Sequence, residues 1–201
     1  GYRVFAELED YPPGHQRFYL RKTLVRGGEP LGEISQGYLV RPLRAGEEEL
    51  VCRLILDTFH EFEAEGYSEE GLTNFRAYAD PVAMRARADG GDHFALVVES
   101  TRGETPEIVG VIEIRNHRHV SQLFVAGSHH RRGLARSLLD HALARCQVVD
   151  PELVTVTVAS STYPVEAYPR LGFVRTGPER VERGIRVTPM ELSLEGREQR
   201  P

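Results

Sequence analysis

The spacing of apolar positions changes period along this chain. From residue 47 to about 65, Leu50, Val51, Leu54, Ile55, Phe59 and Phe62 recur every three or four residues. That spacing predicts an amphipathic helix with one apolar stripe. Gly66 ends it, Ser68 is placed to cap a second helix through Tyr78, and Asp80-Pro81 a third through Arg87. The period then shortens. Residues 93–99, 108–115 and 119–125 read as strands, with hairpin-loop chemistry at 101–106. Leu134, Leu138, Leu139, Ala142, Leu143 and Cys146 restore helical spacing. Residues 153–158 are rich in β-branched side chains, as in a buried strand. A short helix over 163–170 and two strands complete the pattern. With residues 37–43 as a first strand, the order is β-αα-βββ-α-β-α-ββ, an α/β chain.

The first 36 residues stand apart. Residues 2–8 alternate like a strand, 11–15 (Tyr-Pro-Pro-Gly-His) have turn chemistry, and 17–24 read as a second strand. Residues 1–24 are therefore expected to form a hairpin. Residues 25–36, rich in glycine and polar side chains, read as a linker, and 37–196 as the main domain.

Composition narrows the function classes. Hydrophobic residues make up 40% of the 201, enough for a real core, and the net charge is −5 with both signs interspersed. Nucleic-acid binding, which needs a basic face, is disfavoured. No apolar run approaches the roughly 20 residues of a membrane span. Cys52 and Cys146 both fall in apolar helical patterns without metal-site spacing, so buried thiols in a reducing cytoplasm are expected and no metal is.

The stretch with chemistry is His130-Arg131-Arg132-Gly133-Leu134-Ala135, between a predicted strand and a predicted helix. The N–H groups of a helix's first turn lack intrahelical partners and carry partial positive charge. Gly133 lets a ligand approach the backbone, and Arg131, Arg132 and Arg136 add charge, so a diphosphate would be accommodated here. A plain turn with solvated arginines is the other reading. Neither a Walker motif nor a dinucleotide fingerprint is present.

This stretch, preceded by Leu123-Phe124-Val125, resembles the acetyl-CoA motif of the GNAT N-acetyltransferase superfamily, Gln/Arg-x-x-Gly-x-Gly/Ala after a Leu-x-Val strand. His130 stands at the motif's first position. Tyr168-Pro169-Arg170-Leu171-Gly172-Phe173 is similar to the family's Tyr-x-x-x-Gly-Phe signature, and the likeness covers about residues 37–194. The resemblance implies a GNAT acyl-CoA N-acyltransferase fold, with a mixed twisted sheet and helices on both faces. It implies acetyl-CoA as co-substrate and an amine acceptor. Acetyl-CoA would lie where strands 119–125 and 153–158 splay apart. The backbone of Leu123, Phe124 and Val125 would hold pantetheine and polarise the thioester. His130, Arg131, Arg132, Gly133, Leu134, Ala135 and Arg136 would surround the diphosphate.

Tyr168 would protonate the departing thiolate. His119, Glu70 or Glu65 are the candidates for the base that deprotonates the acceptor amine. Where many relatives carry a cofactor-binding Asn, this chain has Ala159, leaving Ser160 or Ser161 to replace that bond. The resemblance extends to residues 1–24, which look like the closing hairpin of a second, truncated GNAT domain; a hairpin that extends the main sheet is the alternative. Its edge could pair with a second copy, so a homodimer is one expectation. The functional expectation is a cytoplasmic N-acetyltransferase working by direct attack in a ternary complex. The rival is a non-catalytic acyl-CoA-binding half of a tandem protein.

Overall fold

The computed structural model describes residues 2–8, 17–22, 32–35, 37–63, 67–162 and 164–195. Strands β1 (Tyr2–Leu8) and β2 (Arg17–Lys22) pair antiparallel as a two-stranded sheet of their own, with a bulge between Val4 and Ala6. The expected turn at 11–15 lies outside the described residues. Within the stretch read as a linker, Gly32–Ser35 forms a strand, β3, that folds back on β4 (Tyr38–Pro42). Gly37, at φ 87°, takes the left-handed conformation that this reversal requires.

The main sheet has nine strands. Its order is β10 (Arg180–Glu182), β11 (Ile185–Ser193), β8 (Thr155–Ser161), β7 (His119–Val125), β6 (Glu107–Arg115), β5 (His93–Ser100), β4 and β3, with β9 (Val174–Arg175) also on β11. Every pairing is antiparallel except β7 with β8. Between β4 and β5 run the three helices that the residue spacing predicts, one more than the β-αα-βββ order holds: α1 (Glu48–Phe62), α2 (Glu69–Tyr78) and α3 (Pro81–Asp89). The caps read from sequence are formed. Ser68 Oγ accepts the Gly71 N–H at 3.1 Å, and Asp80 Oδ1 accepts the Ala83 N–H at 2.9 Å, which starts the third helix. Helix α4 (Leu134–Val149) follows β7 and the four-residue α5 (Tyr168–Leu171) follows β8. Three strands close the chain instead of two, because Arg183 and Gly184, both at positive φ, turn β10 back onto β11.

Alternation along the strands splits the core in two. Leu96, Val98, Ile112 and Ile114 face α4, meeting Leu138, Leu139 and Ala142. Val97, Val111 and Phe124 face the other way, meeting Val51, Ile55, Phe59, Phe75 and Met84. Each such side chain contributes about 1.5–3 kcal/mol by leaving water. The stripe on α1 is rotated from the expected one: Leu50 is 55% exposed, while Cys52 and Thr58 are buried. The helix also stops at Phe62, and Glu63 is its C-cap, with its N–H on Phe59 O.

The start of α1 is fixed by Arg41, only 1% exposed, whose guanidinium donates to both Glu47 oxygens at 2.7 and 2.8 Å and to Glu99 at 2.7 and 2.9 Å. Removing one partner of a buried ion pair strands the others. Arg41→Ala is expected to cost about 3 kcal/mol, measured as the shift in urea unfolding at pH 7.

Candidate active site

The parallel strands β7 and β8 pair only at His119 with Thr157 and Val120 with Val158. Beyond that point they part. Ser121 is an extra residue in β7, since Glu113 opposes Gln122 while Ile114 opposes Val120. Further along, the register with β6 settles which backbone groups face the gap. Ala126 donates its N–H to Val109 O, so the hydrogen-bonded antiparallel pairs are Ala126 with Val109 and Phe124 with Val111. The amides and carbonyls of Leu123 and Val125 therefore point away from β6, toward the parted β8.

The gap opens into a cleft of about 690 Å³. The end of α1 (Thr58, Phe62, Glu63) forms one wall, the end of β7 and the start of α4 a second, and Glu166, Ala167 and Tyr168 a third. At the head of α4, Arg131 (φ 58°) and Gly133 (φ 79°) are both left-handed. Such alternation turns successive N–H groups into a concave nest that favours anions. Gly133 is the N-cap, and a Cβ built there would meet no atom within 4 Å, so the space before the helix is open. The N–H groups of Leu134, Ala135 and Arg136 have no acceptor among the described residues.

Tyr168 lines the cleft and is 6% exposed, and its hydroxyl makes no hydrogen bond to a described residue. Burial, then the nearby Glu63 and Tyr67, push its phenol well above the ordinary range. Glu63 Oε2 accepts hydrogen bonds from Ser161 Oγ at 2.6 Å and Tyr67 Oη at 3.4 Å. Burial raises that carboxyl's pKa, an effect the two hydroxyls oppose.

The family model described as an acetyltransferase (GNAT) domain matches residues 63–194. This chain belongs to the GNAT acetyltransferase family. Solved structures share its fold. A GCN5-related N-acetyltransferase from Rhodopseudomonas palustris is 20% identical over 87% of this chain and 100% of its own, at a TM-score of 0.62. The PaiA N-acetyltransferase of Thermoplasma acidophilum, solved with coenzyme A, is 16% identical over 78% and 98%, at 0.61. A ribosomal-protein-S5-alanine acetyltransferase from Vibrio fischeri is 14% identical over 85% and 98%, at 0.56. No curated protein matches the sequence.

Within this acetyltransferase, the residues singled out from sequence do not all meet. Leu123, Phe124, Val125, His130, Arg131, Gly133, Leu134, Ala135, Arg136 and Tyr168 line the cleft. Phe124 does so with its backbone committed to β6. His130 Nε2 donates to Val125 O at 2.7 Å, and its ring stacks on Phe62, so it pins the loop to the strand end. Arg136 donates to the carbonyls of Arg170 and Leu171, tying α4 to the helix that carries Tyr168. Arg132 is exposed and outside the lining.

Three expectations need correction. His119 sits where β7 and β8 are still paired, its Nδ1 2.8 Å from Thr157 Oγ1. It is four to six residues from Leu123 and Val125, about 13–20 Å at the rise of a strand. Glu70 is exposed in the first turn of α2, packed against Gly184 and outside the lining. Ser160 Oγ is turned back onto Ser161 O and Ser161 Oγ is given to Glu63, so neither hydroxyl proton is free for a cofactor. Glu65 lies outside the described residues. The sequence reading missed Glu63 altogether.

Proposed function

We propose that this protein moves an acetyl group from acetyl-CoA to a primary amine by direct attack in a ternary complex. The observation that carries this is the parting of β7 from β8 after Val120 and Val158. It leaves the backbone groups of Leu123 and the N–H of Val125 unspent in a cleft that also holds an open helix N-terminus and a protonated phenol; the Val125 carbonyl is taken by His130. Unpaired buried backbone groups are costly and call for a partner. The two amides of pantetheine supply matching donors and acceptors. The nest at Arg131–Gly133 and the first turn of α4 would take the diphosphate. A backbone N–H facing the gap would stabilise negative charge on the thioester oxygen. Tyr168 would give its proton to the departing sulfur.

Direct attack is favoured over an acyl-enzyme. Both thiols are buried outside the cleft lining, and burial pushes Cys52 up to about 11 and Cys146 to about 12. A thiol so held is a poor nucleophile. The test is acetyl-CoA with a panel of amines: spermidine, lysine, an alkyl diamine and an alanine-terminated peptide. Free thiol released in proportion to acetylated amine is the expected result. Acetyl-CoA bound without thiol release from any amine would make the chain a binding module instead.

A further inference from the structure

We propose that Glu63 receives the acceptor's ammonium group and removes its proton, with Ser161 and Tyr67 holding the carboxylate in place. This rests on the acetyl-transfer reading above. Ser161 lies three residues beyond the last paired residue of β8, and Leu123 three beyond its counterpart on β7. Ser161 Oγ donates to Glu63 at 2.6 Å, so the carboxylate is held at the parted ends of β7 and β8, where the backbone of Leu123 faces the gap. It lines the same cleft as Tyr168, on the α1 side.

A structural carboxylate withdrawn from water is ordinarily matched by a cation. Glu63 forms no ion pair among the described residues. It faces hydroxyls only: Ser161 from β8, Tyr67 from the segment before α2, and Tyr168 from α5. The arginines that line the cleft, Arg131, Arg136 and Arg170, stand at the head of α4 and on α5, and none pairs with Glu63. Both hydroxyls bond Oε2, and Oε1 has no hydrogen bond to a described residue. Glu63 also caps the C-terminal end of α1, where the helix dipole disfavours negative charge. An unmatched carboxylate with one free oxygen, in a cleft that takes a thioester, suits an incoming ammonium. Its raised pKa brings it nearer to the range of an effective base.

The protons balance. Glu63 takes one from R–NH3⁺, and the free amine's lone pair forms the N–C bond as the C–S bond breaks. The thiolate takes the proton of Tyr168, and the second proton shed by the amide nitrogen returns to that phenolate. Glu63 finally loses its proton to solvent. The sum is amide, CoA thiol and one proton.

The test uses acetyl-CoA and the best amine of the panel above. Glu63→Gln is expected to lower kcat/KM at pH 7 about 100- to 1,000-fold, with acetyl-CoA affinity unchanged. Its rate should then climb with pH as solution supplies free amine, and the acidic limb of the wild-type profile should be gone. Glu63→Asp should recover part of the loss. Ser161→Ala keeps the carboxylate but removes a bond that favours its charged form, so the acidic limb should move to higher pH. Wild-type turnover in Glu63→Gln, or an acidic limb unmoved in these variants, overturns the assignment. Absence of thiol release by the wild type overturns the acetyl-transfer reading itself, and this with it.

Discussion

Gly133→Asp is expected to raise the dissociation constant for acetyl-CoA at least 100-fold while leaving the fold in place. Gly133 is the N-cap of α4 at φ 79°. Aspartate tolerates left-handed φ better than most residues. The protein leaves room for it, since no atom lies within 4 Å of a Cβ built there. The positive φ should cost about 1 kcal/mol, which lowers stability without unfolding the chain. On the proposed reading, however, the new carboxylate fills the nest and meets the diphosphate with like charge. A 100-fold loss corresponds to about 2.7 kcal/mol, a plausible sum for several charge-assisted hydrogen bonds. Calorimetric titration with acetyl-CoA measures it, and a melting scan checks the fold. Wild-type affinity in this variant would move the diphosphate away from the head of α4.

What the sequence disclosed, and what it hid, follows from the range of each signal. Caps are local chemistry, and Ser68 and Asp80 formed as their spacing implied. The long strands and α4 were also legible, because alternation or helical period runs through most of their length. Strand β3 was not: four residues beginning with glycine carry too little pattern, and only pairing with β4 defines them.

The site was hidden in the same way. Period tells which face a residue is on, not how far along a pairing it lies. His119 and Leu123 share one strand, yet the first sits inside the paired region and the second beyond it. Glutamates stand at 61, 63 and 65, two residues apart. Which one enters the cleft depends on where α1 ends, and the apolar stripe overran that point. Glu61 instead lies against Gly127. The backbone of Phe124 is excluded from the gap by the parity of its pairing with β6, which no side chain encodes.

Tyr168→Phe is expected to lower kcat about 100-fold, within the usual yield of a positioned acid, and to change acetyl-CoA affinity less than about twofold, since no ground-state contact is assigned to the hydroxyl. The fold should tolerate the change. The edge-on contact with Phe173, ring centroids 5.2 Å apart, needs only the ring, and the hydroxyl has no hydrogen-bonding partner among the described residues to leave stranded. What is lost is a proton held ready. Burial raises the phenol's pKa, and the negative charge of Glu63 raises it further. The acid form therefore persists to higher pH than for a free tyrosine, and no basic limb from Tyr168 should appear between pH 7 and 9. A CoA thiol, with a pKa of roughly 8.5, can leave as the thiolate, so the variant should be slow rather than dead. The coupling also predicts an interaction. With the base removed in the Glu63→Gln variant, amine attack limits the rate and protonation of the departing sulfur matters less, while burial still keeps the phenol protonated. The double variant should then fall by less than the product of the single losses. Losses that multiply in full, or a Tyr168→Phe enzyme at wild-type kcat, would separate the two groups and remove Tyr168 from the chemistry.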